Sequence, residues 1–513
     1  MASTVAPKRE SYQELKKDRG REPEHEHVRR ETSLAWRNAL TLVSAFGATF
    51  VVAVAIRFFL PRFLGPVSYG KLQFAEAFAT IFFVLLSLGA DTYISKEVAK
   101  RPAHASDFLG SLLALRVALA GLLLLAMCAT LTLLGRDERD WQLAAIFGVW
   151  QLALACNNTF AALLNANGTV GMLAITNVVA KIAWAGSIVC AVLMGGRLTP
   201  IAMCFALCEV GKALVLFVLV RRAMEVRLRL QWTGAVAVLL SSLPFFLNQL
   251  AHKIYAKVDV NMLSVLASDR QVGCYAAAAN VAGLILLFVP ILNAVVQPMA
   301  SRIAHNASTE AMNAVLATSM RLSLLACVPV TLILVLHAPH IVSTLFGADF
   351  APAAPMLQVL ALTFPLTYVC IISAVNLVQL EKSWTVTRIS LLGLLVNPLL
   401  NVAFIRFCAA RWGEAFAGVG AATATVLSES LSTALFIVAL GAPSARRPLL
   451  TTAGKLAIIV GLVAALHASI SLPWPLLGAI ELGLYGILAA AFGLIPARTT
   501  LRALLPRRPP CST

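Results

Sequence analysis

Charge is scarce in this chain. Only 13% of its 513 residues are Asp, Glu, Lys or Arg, where soluble domains carry about a quarter. Hydrophobic residues make up 59%, and the mean hydropathy is +0.83. That excludes a water-soluble globular protein and implies a polytopic membrane protein. ATP hydrolysis by the chain itself is also excluded. The Gly-Lys pairs at Gly70-Lys71, Gly211-Lys212 and Gly454-Lys455 are followed by Leu72, Ala213 and Leu456, whereas a phosphate-cradling loop needs Ser or Thr there to hold magnesium. No CxxC occurs. Cys128, Cys156, Cys190, Cys204, Cys208, Cys327 and Cys370 are scattered through apolar segments, so they read as small core residues, with no disulfide or metal site. No cofactor is expected. The loops carry no cluster of carboxylates, which argues against a membrane glycosyltransferase or glycan polymerase.

What is there is a succession of apolar runs about 20 residues long. Each is enough to cross roughly 30 Å of hydrocarbon at 1.5 Å per residue. We read fourteen, with cores at 38–60, 73–94, 108–134, 141–164, 172–194, 199–220, 235–256, 272–297, 316–345, 354–380, 385–407, 415–440, 454–472 and 475–496. The predicted fold class is all-α. The net charge of +17 sits in the connections and belongs with a membrane surface; no nucleic-acid partner is expected. Most Lys and Arg fall on one side, among them Lys96, Lys100, Arg221, Arg222, Arg302, Arg446 and Arg447. The positive-inside rule then places both termini in the cytoplasm.

The chain divides accordingly. Residues 1–35 form a charged cytoplasmic tail (His25 and His27 in it are solvated) with no cleavable signal. Residues 36–220 hold helices one to six and 221–233 a basic linker. Residues 234–440 hold helices seven to twelve, 441–497 two more, and 498–513 a basic tail. The two six-helix blocks resemble each other. Tyr69-Gly70-Lys71-Leu72 opens the second helix and Val272-Gly273-Cys274-Tyr275 the eighth. The repeat predicts two lobes, a central cavity between them, and a substrate site there.

The stretch Arg62-Phe-Leu-Gly-Pro-Val-Ser-Tyr-Gly, then Gly89 and Ser95-Lys-Glu-Val-Ala-Lys-Arg, resembles the opening of bacterial polysaccharide flippases. These are the O-antigen and exopolysaccharide repeat-unit exporters of the multidrug/oligosaccharidyl-lipid/polysaccharide superfamily. Asp259, Val272-Gly273-x-Tyr275-Ala276-Ala277 and Pro290 to Pro298 resemble the start of their second lobe. The resemblance covers roughly residues 35–440. It implies a two-lobed carrier moving an undecaprenyl-pyrophosphate-linked oligosaccharide across the bacterial inner membrane, with a polymerase or chain-length regulator as a possible partner beside the lipids. A lipid-linked peptidoglycan-precursor flippase and a cation-coupled exporter are the alternatives within the superfamily.

Charges at membrane depth cost about 2.5–3.5 kcal/mol each on insertion scales, so each needs a partner, a route to water or a function. Arg57 and Glu76 lie at similar distances from the turn at Pro66–Val67, so a hairpin sets them at one depth and they are expected to interact. Arg116 and Lys181 lie deep in their helices and are expected to line the cavity, the alternative being pairs with Glu209 or Glu429. Glu209 and Lys212 share a helix face and can pair. Asn248 and Lys253 complete the binding set, with Arg57 and Lys253 nearer the cavity's outer end. Lys257 and Asp259 are placed at the interface. Asp91 is expected to gate with Glu97 or Arg302, and Asp259 and Glu429 are further gate or coupling candidates, Glu429 through a structural hydrogen bond. Pro244, Pro290, Pro329, Pro365 and Pro398 predict a more bent second lobe.

Overall fold

The computed structural model describes residues 47, 49–89, 91, 94, 98, 105–224, 229, 232–284, 309–441 and 443–495. Both tails, Glu97, Pro290 and Arg302 lie outside the described residues. Among those described, every regular element is an α-helix or a short 3-10 turn, and no strand occurs.

Helical backbone runs from Thr49 to Phe83, but Gly65 takes φ 70° in its middle. A straight helix would set Arg57 and Glu76 about 28 Å apart at 1.5 Å per residue. They are instead within electrostatic reach of each other. The chain therefore folds back at Gly65 into α1 (49–64) and α2 (66–83), the hairpin its sequence predicts. Only glycine adopts that left-handed turn without strain, and Pro66 opens α2 where no backbone N–H is needed.

The remaining helices are α3 (Ala105–Leu133), α4 (Glu138–Ala166), α5 (Val170–Leu193), α6 (Leu198–Met224), α7 (Trp232–Leu266), α8 (Asp269–Gly283), α9 (Thr309–Leu336), α10 (Ala338–Phe346), α11 (Ala353–Ala361), α12 (Thr363–Gln379), α13 (Ser383–Trp412), α14 (Ala417–Leu440), α15 (Pro443–Ser469) and α16 (Trp474–Ala491). Eleven described stretches are long and apolar enough to cross a membrane, Thr49–Ser87 being one of 39 residues. Wherever the fourteen expected crossings fall on described residues, they coincide with helical backbone. Three differ in form. The seventh extends ten residues past its expected end, to Leu266. The ninth breaks at His337, and the tenth breaks at Leu362, just before Pro365. Pro329 and Pro398 stand inside α9 and α13.

Helices α2 to α6 form one half and α7 to α14 the other. In the first, α4 and α5 pack along α6; in the second, α13 lies along α14 and α7, and α12 along α14 and α9. The last pair is an addition: α15 packs on α9 and on α16. One core joins the halves, with Tyr69, Leu72 and Phe74 of α2 and Phe147 of α4 meeting Val272 and Tyr275 of α8. Lipid is as apolar as leucine, so hydrophobicity does not drive such helices together; close contact between small residues does. Buried Ala276, Ala277 and Ala278 of α8 and Ala421, Ala422 and Ala424 of α14 supply it.

Candidate functional site: a charged seam between the halves

The halves meet backbone to backbone at the end marked by Gly65. A Cβ on Gly70 would overlap the Asp269 carbonyl, and one on Gly273 would overlap that of Pro66. The two glycines marked by the internal repeat therefore touch each other's neighbours across the seam. Asn280 Nδ2 donates to the Tyr69 hydroxyl at 2.6 Å beside them. Around this contact stands a network that sequence reasoning missed. Lys71 Nζ reaches Asp137 at 3.5 Å, Asp140 at 3.8 Å and Asp269 at 3.9 Å. Arg136 reaches Asp140 at 3.6 Å and Asp269 at 3.4 Å, and donates to the Ser264 carbonyl. Its guanidinium lies 4.5 Å over the Phe74 ring. Asp269 thus accepts cations from the first half, and no sequence spacing could announce a contact 133 residues long-range.

One step inward, Glu76 is held by Lys257 Nζ at 2.9 Å and by Gln73 Nε2 at 3.2 Å. Arg57 makes no direct ion pair with it among the described residues, though it stands within electrostatic reach; the direct partner is Lys257. Depth was read properly from the hairpin, but rotation about the helix axis decides the partner. Lys257 is partly buried and lies nine residues before the end of α7 at Leu266.

Arg57 is exposed and lies within electrostatic reach of Tyr69, Glu76 and Lys181. These sit on α2 and α5, so its guanidinium points among helices. Lys181 Nζ lies 3.6 Å over the Trp184 ring and makes no ion pair among the described residues. Cation–π contact holds it without neutralising it. Beyond it, Lys212 and Glu209 pair at 3.4 Å as their spacing predicts, and Asn157 Nδ2 donates to Glu209 at 2.8 Å.

Arg116 is the opposite case. It is fully buried. Its Nη1 donates to the Ala155 carbonyl at 2.7 Å and to Thr159 Oγ1, and its Nη2 to the Ser87 carbonyl at 3.3 Å and Asp91 Oδ1 at 3.4 Å. This corrects the cavity placement: an arginine so enclosed ties the 3-10 turn Val84–Ser87 and α4 together. Its acid is Asp91, rather than Glu209 or Glu429. Asp91 accepts from Arg116 and from Thr159 Oγ1, the latter at 2.7 Å, and the gate partners expected for it, Glu97 and Arg302, lie outside the described residues. Lys253 is partly buried and within electrostatic reach of Asp91 and Arg116, midway along the seam rather than near its Gly65 end. Asn248 lies on α7, and its side chain is outside the described residues.

In the second half, Asp259 is buried. It accepts from Tyr275 Oη at 2.9 Å, Thr425 Oγ1 at 2.8 Å and Asn401 Nδ2 at 2.8 Å. No cation reaches it among the described residues. Asn401 Oδ1 is buried without a hydrogen-bond partner, and Asn401 Nδ2 also donates to Asn397 Oδ1 at 2.8 Å. The group is a set of oxygen donors around one carboxylate, a chemistry suited to a proton or a hard cation. Glu429 accepts from Tyr255 Oη at 3.1 Å, the hydrogen-bonded role expected of it.

Comparison with known proteins bears on the whole chain. A curated relative, the probable low-salt glycan biosynthesis flippase Agl15 of Haloferax volcanii, is 26% identical over 181 residues. The match takes in 35% of this chain and only 37% of that protein's length. Among solved structures, the lipid II flippase MurJ in an inward closed conformation superposes with a TM-score of 0.65 at 15% identity, over 88% of this chain and 100% of that one. An inward-facing multidrug resistance MATE family transporter of the MOP superfamily gives 0.59 at 16% identity, over 80% and 95%. These superpositions establish the fold. The family model described as "Polysaccharide biosynthesis protein" matches residues 35–304, more than half of the chain. The residues around Gly65–Gly70 and Val272–Ala277 thus pointed the right way, and the chain is a multi-pass membrane protein belonging to the polysaccharide biosynthesis protein family.

Proposed function

We propose that this protein is a flippase carrying undecaprenyl-pyrophosphate-linked oligosaccharide repeat units across the bacterial inner membrane by alternating access, for a surface polysaccharide. Its termini are cytoplasmic, and its lobes are residues 36–220 and 234–440. The single observation that carries this reading is the pair Arg57 and Lys181. Both are cations in membrane-spanning helices, neither makes a direct ion pair among the described residues although Glu76 and Glu209 stand within electrostatic reach, and they lie within reach of each other. Two charges of one sign set so close at such depth are costly unless something anionic visits them. A pyrophosphate headgroup suits them: attraction is stronger in low dielectric, and arginine grips phosphate with two parallel hydrogen bonds. The family and the glycan flippase relative support the same substrate class. Asp259, a buried acid with no cation among the described residues, serves as the coupling group in this reading, since the sequence carries no phosphate-cradling loop for ATP.

The experiment compares Arg57→Gln, Lys181→Gln and the double variant in cells lacking the chromosomal copy. Lipid-linked repeat units should accumulate on the cytoplasmic face while the variants reach the membrane at normal levels. Arg57→Lys should retain partial export. Undiminished export by the double variant would overturn the reading.

A further inference from the structure

The structure assigns a divalent cation site of the zinc class to His337, His467 and Glu481, where the last two helices join the rest of the molecule. Three elements converge there. His337 is the residue between α9 and α10, His467 stands in the last turn of α15, and Glu481 lies two turns into α16. Glu481 is 0% exposed and His337 1%. Each carboxylate oxygen has its own imidazole: Oε2 lies 2.8 Å from His337 Nε2, and Oε1 lies 2.7 Å from His467 Nδ1. The ring centroids are 5.1 Å apart and nearly perpendicular, at 81°. The three ligand atoms all lie within 4.8 Å of one another.

A fully enclosed carboxylate needs a positive partner, and no Lys or Arg reaches this one among the described residues. The two imidazoles bring hydrogen bonds, and charge only if protonated. A metal brings both charge and directional bonds. Two histidines and one glutamate are a known zinc ligand set with the fourth position open. Imidazole nitrogens select zinc, cobalt or nickel over calcium and magnesium, which prefer oxygen. With bonds of about 2.0–2.1 Å, tetrahedral ligands stand about 3.3 Å apart. The two short nitrogen–oxygen distances run to different carboxylate oxygens, so a metal would take one oxygen and both imidazoles, and ligand atoms that already lie within 4.8 Å of one another would have to draw in by up to about 1.5 Å, within reach of side-chain rotations. His467 is 30% exposed along its side chain, which leaves a way in and room for a water. One feature limits the affinity. His337 Nδ1 is buried with no partner, while metal-bound histidines usually donate that second N–H; losing such support costs about 10–100-fold in affinity. The ion should therefore exchange with a mild chelator. Bound, it pins α15 and α16 to the α9–α10 junction.

The test uses the full chain, purified in nanodiscs, stripped with chelator and given zinc alone, then desalted. Wild type should keep about one zinc per chain and melt at a higher temperature with zinc than without. With cobalt it should show the intense visible bands of a tetrahedral site. His467→Ala, a change at a part-exposed position, should lose at least tenfold in zinc retention together with the melting shift. Glu481→Gln should do the same. His25→Ala combined with His27→Ala, in the charged tail, should change neither. Equal zinc retention by wild type and His467→Ala would overturn the assignment in favour of a plain hydrogen-bonded triad. Should His467→Ala not fold, the wild-type spectrum decides alone: cobalt-loaded protein without tetrahedral bands sinks the site.

Discussion

Gly70 and Gly273 face each other across the seam with no side chain between them. A Cβ on Gly70 would fall 3.0 Å from the Gly273 nitrogen, and a Cβ on Gly273 would fall 3.0 Å from the Gly70 nitrogen. The reciprocity is that of a two-fold axis relating the halves. Gly70→Ala and Gly273→Ala should each hold this end apart, because the overlap is with backbone and no side chain can swing away. A carrier that cannot close one end stalls. We expect export to fall at least tenfold with normal membrane levels, and a Cys placed at Val67 to become accessible to an impermeant thiol reagent. Full export by either variant would remove the glycine contact from the transport cycle.

Lys257, and not Arg57, should be energetically coupled to Glu76. The 2.9 Å pair crosses from one half to the other. In a double-mutant cycle on thermal stability, Glu76→Ala with Lys257→Ala should show a coupling of about 0.5–3 kcal/mol. Glu76→Ala with Arg57→Ala should come nearer to additivity. The reverse ranking would put the hairpin pair back in place.

Arg116→Lys should be destabilising despite keeping the charge. An ammonium cannot replace a planar fork that serves Ala155, Thr159, Ser87 and Asp91 at once. Breaking such a buried arrangement costs about 3–5 kcal/mol, so the melting temperature and the amount of inserted protein should both drop. Lys181→Arg, by contrast, should leave stability near that of wild type. An Arg116→Lys protein as stable as wild type would argue that the site is not enclosed.

Asp259→Asn should uncouple the carrier. The substitution keeps the size of the side chain and its contacts with Tyr275, Thr425 and Asn401 in large part, and removes the one unneutralised carboxylate of that cluster. Export that depends on an ion gradient in wild type should become slow and gradient-independent, with little loss of stability. Gradient dependence that survives the change would assign coupling elsewhere.

The sequence carried more of the fold than of the site. Apolar runs and turn residues mark the helices directly, and Gly65-Pro66 marks the first hairpin, since each signal is local. The repeat at Gly70 and Gly273 was legible as a pattern; that the two copies touch was not. Depth could be counted, so Arg57 and Glu76 were set at one level. Helix rotation leaves no trace in a uniformly apolar segment, and so Lys257 was missed as the partner and Arg116 was set in the cavity. His337, His467 and Glu481 are spread over more than a hundred residues with no spacing to connect them.

Helix α7 ends up bolted to the first half at two places. Near its start, the backbone around Ser242 and Phe246 sits against Gly89, where any Cβ would collide. Further along, Lys257 holds Glu76. No glycine or proline interrupts Phe246 to Lys257, about 16 Å of helix at 1.5 Å per residue. Held at both places, this stretch moves as one piece, so in the carrier proposed above a tilt that frees one contact need not free the other, and a lipid-linked cargo would meet one parted contact at a time.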